Sequence, residues 1–401
     1  MTRTFLHPDD ALKLVLNNIE DYGDENISIF ESCNRVLSNE VFAKNDDPPF
    51  NKSSMDGYAY TNYNGDTYTL IENNIIEAGA FKNIEVKDGE CIKIMTGAVV
   101  PKGCDFVQRI EWTKEYKKDG KTFIQFTKKE NLSNIIKKGN NKKIGEKILN
   151  KKFLMPKDTA ILSGFGYDKI YVKKKINASV ISNGNEIADI GEVLKEGAIY
   201  DANAPMLLNR MLDLSCNCKF YGRVKDDKNE IRTILDKAID ENDMVLITGG
   251  VSMGDFDYVH EILCDIGVNQ IFHGLAMKPG KPLFFGKFNN KAVFALPGNS
   301  VSAYMTFEIM VKPYILSSFG LLYDNSYINA ILTENFNRKD VERLEYVPIQ
   351  LYFENTKLYA KLINYNNSSM ISSFAEANGI LKIDIGIKNI KSGDIVDVRF
   401  I

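Results

Sequence analysis

Six charged side chains in the middle of the chain have the types and spacing that a ligand site needs. Four are carboxylates that follow short apolar runs, and two are lysines close together; they are Glu186, Asp227, Asp255, Asp257, Lys278 and Lys281. Carboxylates are typical ligands of hard cations such as Mg²⁺, whereas lysines suit a polyanion. Any one of them alone also fits a helix cap or a surface pair. Their recurrence after successive apolar runs favours one site that holds a cation together with a phosphate.

A glycine-rich stretch lies at the centre of this set. Residues 244–247 form an apolar run typical of a buried strand, Gly249-Gly250 and Gly254 break it, and a helical pattern covers 258–266. Glycines let backbone N–H groups approach an anion, and a helix N-terminus adds a partial positive charge. Because two aspartates follow, a bare phosphate would be repelled unless a cation or a donor-rich ligand lies between. A turn with an N-cap pair is the alternative interpretation.

A second candidate anion cradle is the turn Pro297-Gly298-Asn299-Ser300, which precedes a helical pattern over 301–314. Ser302 falls in the first turn of that helix, where hydroxyl and N–H donors can hold an anion. The three histidines share no metal-ligand spacing, and no serine or cysteine elbow indicates a hydrolase.

The elements that position these residues follow an α/β pattern. Predicted strands alternate with helical patterns; the strands are at 178–182, 219–224, 244–247, 271–277 and 292–296. This alternation is typical of a parallel-type sheet flanked by helices, in which ligands collect at the carboxyl ends of the strands. We therefore predict a multidomain α/β plus β fold with a central α/β domain, a β-rich inserted domain and a small C-terminal β domain.

Four domains are predicted from changes in pattern and from the extended Pro48-Pro49 segment. They are a split linker domain (1–46 with 136–175), an inserted β-rich domain (47–135), the α/β domain (176–320) and a C-terminal β domain (321–401).

Composition excludes several partner classes. With 50 Lys+Arg against 53 Asp+Glu, the net charge of -3 offers no global attraction for nucleic acid or an anionic membrane. The lysine-rich segment 137–152 lacks interleaved aromatic residues for stacking on bases, so it fits a solvated face. No apolar run is long enough to cross a bilayer. Six scattered cysteines and an N-terminus without a signal peptide's apolar core lead us to expect a cytoplasmic protein with reduced thiols.

Long motifs in one order carry a family resemblance. They are Pro48-Pro-Phe-Asn-Lys-Ser-Ser-Met-Asp56-Gly-Tyr-Ala59, Met95-Thr96-Gly97-Ala98, Thr248-Gly-Gly-Val-Ser-Met-Gly-Asp-Phe-Asp-Tyr258, Lys278-Pro-Gly-Lys281-Pro282, Leu296-Pro-Gly-Asn-Ser-Val-Ser302 and Ala377-Asn378-Gly379. Together they resemble the molybdopterin molybdotransferase family, which includes bacterial enzymes and the E domain of gephyrin. The similarity covers nearly the whole chain.

The resemblance implies a four-domain homodimer that takes adenylylated molybdopterin and molybdate, releases AMP with the help of Mg²⁺, and leaves molybdenum on the pterin dithiolene. It also implies transient contact with other proteins of molybdenum cofactor biosynthesis. Two further interpretations stay open, an adenylyltransferase acting one step earlier and a non-catalytic pterin-binding scaffold. Molybdate and tungstate are not separable by sequence because the two dianions have nearly the same size and charge.

The resemblance further implies roles for individual residues. Glu186 and Asp227 would lie at the metal and the adenylate phosphates, and Asp257 would contact the pterin or the nucleotide. The pocket would be lined by Gly249, Gly250, Ser252, Pro297, Gly298 and Asn299. The molybdate would be held by Lys278, Lys281, Ser302, Arg343 and Ser369. Asp56 and Thr96 would close the cleft from the second subunit of the dimer.

The chain departs from the family pattern at two places. It has Gly139-Asn140-Asn141 where Gly-Glu-Asp is common, and Asn183-Gly184-Asn185-Glu186 where Thr-Gly-Asp-Glu is usual. Asparagine can form hydrogen bonds but carries no charge, so metal binding with fewer ligands is expected.

Overall fold

The protein is described by a computed structural model that covers residues 5–61, 65–251, 258–364 and 368–401. Its chain forms two compact units. The larger unit consists of Met1–Asn26, Asn34–Ser38 and Tyr171–Ile401, and the inserted unit consists of Ile27–Cys33 and Asn39–Ile170. Two strands, Asp24–Ser28 and Lys169–Lys173, contain points at which the chain passes from one unit to the other.

A six-stranded sheet dominates the inserted unit. In spatial order its strands are Phe106–Arg109, Gly57–Tyr60, Glu90–Ile94, Thr67–Ile76, Lys121–Phe126 and Thr113–Lys118. Alternation along each strand gives the sheet two buried faces, one aliphatic around Ile92 and Ile94 and one aromatic around Tyr58 and Tyr60. The shorter elements of this unit are the strand pairs Val41–Phe42 with Lys147–Leu149 and Lys52–Ser53 with Ile135–Ile136, the 3₁₀ turns Ile29–Glu31 and Ile110–Trp112, and the helix Pro156–Gly164.

The larger unit contains the central sheet, whose strands in spatial order are Asn217–Val224, Asn177–Asn183, Met244–Thr248, Lys291–Leu296, Phe284–Phe288 and Asn269–His273. The first four pair in parallel. Phe284–Phe288 joins Lys291–Leu296 antiparallel through a hairpin at Asn289-Asn290, and Asn269–His273 pairs antiparallel with Phe284–Phe288. Leu246 and its neighbours in Met244–Thr248 are fully buried, as expected for a strand covered on both faces.

Helices cover both faces of the central sheet. Lys228–Glu241 and Tyr258–Ile266 share one apolar core with it, and their buried residues recur at helical spacing, as Ile231, Leu235 and Ala238 show. The remaining helices of this unit are Pro8–Leu16, Asn203–Asp213, Ser300–Thr306 and Lys312–Ser318, the last two joined by a π-helical segment, Phe307–Val311. Among the described residues no helix is long and apolar enough to cross a membrane.

A small barrel completes the larger unit. Its five strands form a closed ring, in the order Leu344–Glu354, Lys357–Leu362, Ile328–Leu332, Ile395–Phe400 and Gly379–Ile383. Apolar side chains such as Leu332, Ile349 and Val398 fill its interior. Smaller elements are the strand pairs Phe336–Asn337 with Asn389–Ile390 and Ile187–Ala188 with Ile199–Tyr200, and the 3₁₀ turn Ile371–Ala375.

The predicted combination of a central α/β domain, a β-rich insertion and a small C-terminal β domain is confirmed. One predicted strand, 271–277, is divided in the structure, because Asn269–His273 belongs to the central sheet whereas Met277–Lys278 pairs with the barrel strand Leu344–Glu354. The numerical boundaries of the four domains stay a prediction.

Candidate functional site

A cavity of about 1040 Å³ opens at the carboxyl ends of the four parallel strands of the central sheet. Each of these strands contributes a residue at or just beyond its end to the wall; they are Asn183, Asp226, Gly249 and Pro297. Barrel residues line the other side. The volume is slightly above the roughly 300–1,000 Å³ typical of small-molecule sites, so the cavity has room for a ligand of nucleotide size.

The first wall of the cavity is acidic and is built around Asp226. Its carboxylate accepts hydrogen bonds from Asn183 Nδ2 at 2.8 Å and from the Asn185 N–H at 3.3 Å. In return, the Asp226 N–H donates to Asn185 Oδ1 at 3.2 Å. Glu186 is exposed in the same wall. Two carboxylates therefore face the cavity here, one of them held in place by two amides.

Asp227, predicted as a metal ligand, is the N-cap of the helix Lys228–Glu241. Its Oδ1 accepts from the N–H groups of Asn229 and Glu230, both at 3.0 Å. Asp226, its neighbour in sequence, lines the cavity, whereas Asp227 does not belong to the lining. The predicted role of Asp227 at the metal stays a prediction.

Gly249 and Gly250 form the floor next to Asn183. Both have a positive φ, +85° and +65°, which glycine adopts without strain. A Cβ on Gly249 would lie 2.2 Å from the Asn183 carbonyl oxygen, and one on Gly250 would lie 2.6 Å from Asn183 Nδ2. The close approach of these two strand ends therefore requires glycine at both positions.

The turn Pro297-Gly298-Asn299 forms a third part of the wall and is held from two sides. Asn203, which is buried, donates from Nδ2 to the Gly298 carbonyl at 2.6 Å. Asn299 donates from Nδ2 to Ser368 Oγ at 3.1 Å, and the Val301 N–H donates to the Ser368 carbonyl at 3.1 Å. Ser302, 5% exposed, faces the cavity from the helix that follows.

The opposite wall is cationic. Lys278 Nζ lies 2.7 Å from Glu345 Oε1, and Arg338 Nη1 lies 3.5 Å from Glu345 Oε2. Lys281 is exposed, with its Nζ 4.4 Å from the centre of the Phe5 ring.

Arg343 completes this wall and pairs with Asp340. Its Nε donates to Asp340 Oδ2 at 2.9 Å, and its Nη2 makes a second contact with the same oxygen. These hydrogen bonds from Arg343 lower the pKa of the Asp340 carboxyl, which therefore stays ionised. Lys339 also lines the cavity.

Asp56 and Thr96, predicted to act together, are paired within the inserted unit. Asp56 Oδ1 accepts from both the N–H and the Oγ of Thr96, each at 2.7 Å. These two donors lower the pKa of the Asp56 carboxyl. In the same unit, Asn141, at one of the departures from the family pattern, donates from Nδ2 to Asp47 Oδ2 at 3.1 Å.

The structure thus brings ten of the predicted site residues to one cavity, namely Glu186, Gly249, Gly250, Lys278, Lys281, Pro297, Gly298, Asn299, Ser302 and Arg343. Ser368 lines the cavity, whereas the predicted residue Ser369, next to it in sequence, does not. Ser252, Asp255 and Asp257 lie outside the described residues. Within the described part of the chain, no three His, Cys, Asp or Glu side chains form a metal cluster.

Several lining residues were not predicted from the sequence, chiefly Asn183, Asp226, Arg338, Lys339, Asp340 and Glu345. The adjacent pair Asp226-Asp227 was one signal, since either residue could follow the strand. The charged run Arg338-Lys339-Asp340 was another.

The chain is a multidomain protein with an open α/β sheet whose glycine-lined, acidic strand-end site is faced by a cationic barrel wall, an arrangement typical of proteins that bind anionic ligands of nucleotide size. Comparison with known proteins specifies this class. Residues 6–166 match the "MoeA N-terminal region (domain I and II)", residues 179–317 match a "probable molybdopterin binding domain", and residues 329–401 match the "MoeA C-terminal region (domain IV)".

Full-length relatives agree with these matches. A molybdopterin molybdenumtransferase of Staphylococcus epidermidis is 31% identical over 99% of this chain and 96% of its own, and one of Bacillus subtilis is 28% identical over 100% and 95%. A crystal structure of a molybdopterin biosynthesis MoeA protein from Pyrococcus horikoshii OT3 has a TM-score of 0.81 at 30% identity, covering 99% of this chain and all of that one. The chain belongs to the molybdopterin molybdenumtransferase family.

Proposed function

We propose that this protein inserts molybdenum from molybdate into adenylylated molybdopterin and releases AMP, the last common step of molybdenum cofactor biosynthesis. The observation that carries the proposal is the division of charge within one cavity. Carboxylates Glu186 and Asp226 lie at the strand ends, and the cations Lys278, Lys281 and Arg343 lie on the facing wall.

The two walls suit the two parts of such a reaction. Molybdate is a tetrahedral dianion, for which lysine, arginine and hydroxyl donors form a suitable cradle. Lys281, Arg343 and Ser302 supply these donor types in the same cavity. The glycine floor, Gly249 and Gly250, allows backbone groups to approach the nucleotide phosphate because no Cβ intervenes.

We also propose that Mg²⁺ assists at the acidic wall. The donor chemistry fits, because Glu186 and Asp226 offer carboxylate oxygens in the same cavity. Mg²⁺ commonly takes one or two protein carboxylates and completes its shell with substrate phosphate and water. When bound, the ion would neutralise charge on the phosphates during cleavage of the anhydride. Asp226 would be kept in place for this role by Asn183 and Asn185.

A homodimer is part of the proposal. The Asp56 carboxylate is exposed, ionised and oriented by two hydrogen bonds from Thr96. It is therefore suited to accept a hydrogen bond from a ligand or to coordinate a bound cation. In a family-like dimer this pair would close the cleft of the second copy. Sedimentation of the purified chain tests the dimer, and a monomer at all concentrations would contradict it.

The decisive experiment supplies purified protein with adenylylated molybdopterin, molybdate and Mg²⁺ and measures AMP. We expect AMP release together with molybdenum on the product pterin, measured by elemental analysis, and a raised KM for molybdate in Lys281→Ala. Lys219→Ala is the matched control, because Lys219 is also an exposed lysine but lies outside the cavity lining. Absence of AMP release under any metal condition would refute the proposal, and consumption of ATP with free molybdopterin would favour the adenylyltransferase instead.

A further inference from the structure

Glu345 is a buried carboxylate within the cationic wall, and nothing in the proposed reaction requires a negative charge there. Its side chain is 5% exposed. Oε1 contacts Lys278 Nζ at 2.7 Å, whereas Oε2 is buried without a hydrogen bond from any described residue. A buried acid facing an anion site needs a physical reason, because it repels the ligand that the surrounding cations attract.

Backbone pairing brings Glu345 to this position. The strand Met277–Lys278 runs parallel to the start of Leu344–Glu354, with Lys278 directly opposite Glu345. The N–H of Leu344 donates to the Ala276 carbonyl at 3.0 Å, which secures the register. The register of the sheet therefore places Lys278 and Glu345 side by side, so that their side chains form a cross-strand pair.

Arg338, on the other side of Glu345, is a fixed cation. Its guanidinium donates from Nε to the Ile387 carbonyl at 2.6 Å, from Nη1 to the Arg343 carbonyl at 3.0 Å and from Nη2 to the Asp384 carbonyl. With its side chain 2% exposed, it cannot move towards a ligand. Lys278, by contrast, is 44% exposed and has a flexible stem. Glu345 thus lies between the immobile guanidinium of Arg338 and the mobile ammonium of Lys278.

We propose that Glu345, itself held by Arg338, is a positioning residue that keeps the Lys278 ammonium at the cavity wall for an oxyanion. An ammonium has three N–H donors, so the contact with Oε1 occupies one and leaves two for the ligand. Holding the long side chain in place before binding removes part of the entropy that the ligand would otherwise have to overcome. This inference rests on the proposed function, in which this wall binds molybdate.

The test measures binding of molybdate, and separately of sulfate, to the full-length protein by calorimetry. For Glu345→Gln we expect the Kd to rise about tenfold, and for Glu345→Asp a similar rise, because the shorter side chain keeps the charge but withdraws from Lys278. In a Lys278→Met background, Glu345→Gln should change the Kd no further. Glu342→Gln, at an exposed acid nearby that is not part of the lining, is the matched control and should bind as wild type.

The outcomes separate the inference from the proposed function. If the wild-type protein binds neither anion, the proposed function fails at this wall and the inference fails with it. If wild type binds but Glu345→Gln binds equally well or more tightly, Glu345 acts only as a repelling charge and the inference alone is overturned. An equal loss in the Lys278→Met background would also overturn it, because Glu345 would then not act through Lys278. Should Glu345→Gln fail to fold beside the buried Arg338, the charge-retaining Glu345→Asp decides the question by the same criteria.

Discussion

Asn183 Nδ2 donates a hydrogen bond to Asp226 Oδ1 across 2.8 Å, and this contact joins the ends of two neighbouring parallel strands at the cavity. Asn185 adds a reciprocal pair with the same aspartate through its N–H and its Oδ1. By the family resemblance, threonine and aspartate are expected at the positions of these two asparagines. Because asparagine carries no charge, the negative charge of this wall comes from Glu186 and Asp226, and the Asn183 amide orients the Asp226 carboxylate.

The first prediction concerns the neighbours Asp226 and Asp227. We expect Asp226→Asn to slow AMP release about 100-fold, because it removes a carboxylate from the cavity where charge must be neutralised during cleavage. Asp227→Asn should leave the rate close to wild type, because asparagine caps a helix as well as aspartate does. Single-turnover AMP release at saturating Mg²⁺ measures both.

Thermal unfolding provides the control for this pair. Asp227→Ala should lose about 1 kcal/mol of stability with the cap, whereas Asp227→Asn should lose little. If Asp227→Asn is as stable as wild type but releases AMP slowly, Asp227 has the metal role that the family resemblance implies. That result would contradict the assignment of the metal to Asp226 without Asp227.

The second prediction concerns Gly249. Alanine at this position would combine a φ of +85° with a Cβ only 2.2 Å from the Asn183 carbonyl oxygen, so the strand ends would have to separate. We expect Gly249→Ala to lower the free energy of unfolding by about 2–4 kcal/mol in urea titrations.

Gly197→Ala is the matched control for the Gly249 variant. Gly197 has a similar φ of +82°, but a Cβ added there would meet no atom within 4 Å, so only the conformational strain of about 1–2 kcal/mol should remain. Equal losses in the two variants would show that crowding against Asn183 is unimportant.

The third prediction concerns the pKa of Asp56. Because Thr96 donates two hydrogen bonds to the ionised carboxylate, the folded-state pKa of Asp56 lies below its ordinary value. The stabilising contribution is therefore present above the unfolded-state pKa and is lost as the pH falls through the lower folded-state pKa. Thr96→Val removes the hydroxyl donor and should raise the pKa of Asp56 towards its usual range, as measured by carboxyl NMR titration.

Thr96→Ser keeps both the hydroxyl and the N–H and should keep the pKa low. If the dimer closes the cleft as proposed, the acidic limb of the pH–rate profile should also move to higher pH in Thr96→Val but not in Thr96→Ser. An unchanged pKa in Thr96→Val would mean that the backbone N–H alone holds the carboxylate in its ionised form.

Local pattern was sufficient to predict most of the central sheet. The predicted strand 178–182 lies within Asn177–Asn183, which is almost fully buried, as its apolar residues lead one to expect. The predicted strand 219–224 lies within Asn217–Val224, which is the edge strand of the sheet and is largely exposed. The predicted strand 271–277 was wrong as a single element. An apolar run shows that a segment is buried but not which sheet buries it, and Met277–Lys278 pairs with a barrel strand that follows much later in the chain.

The choice between Asp226 and Asp227 shows a second limit of sequence patterns. Both residues follow the same strand, and the pattern does not tell which carboxylate caps the helix and which lines the cavity. That assignment depends on Asn183, which belongs to a neighbouring strand and approaches only when the sheet has formed.

The sequence by itself determined the family, through motifs in one order along nearly the whole chain, and it determined which charged and glycine residues are present for a site. Tertiary structure decided how those charges are used. Lys278 is paired with Glu345, Arg338 is occupied by backbone carbonyls, and Asp226 is held by Asn183. The physical reason is that each pairing depends on strand register and on contacts between distant parts of the chain, which a local pattern of residue types does not encode.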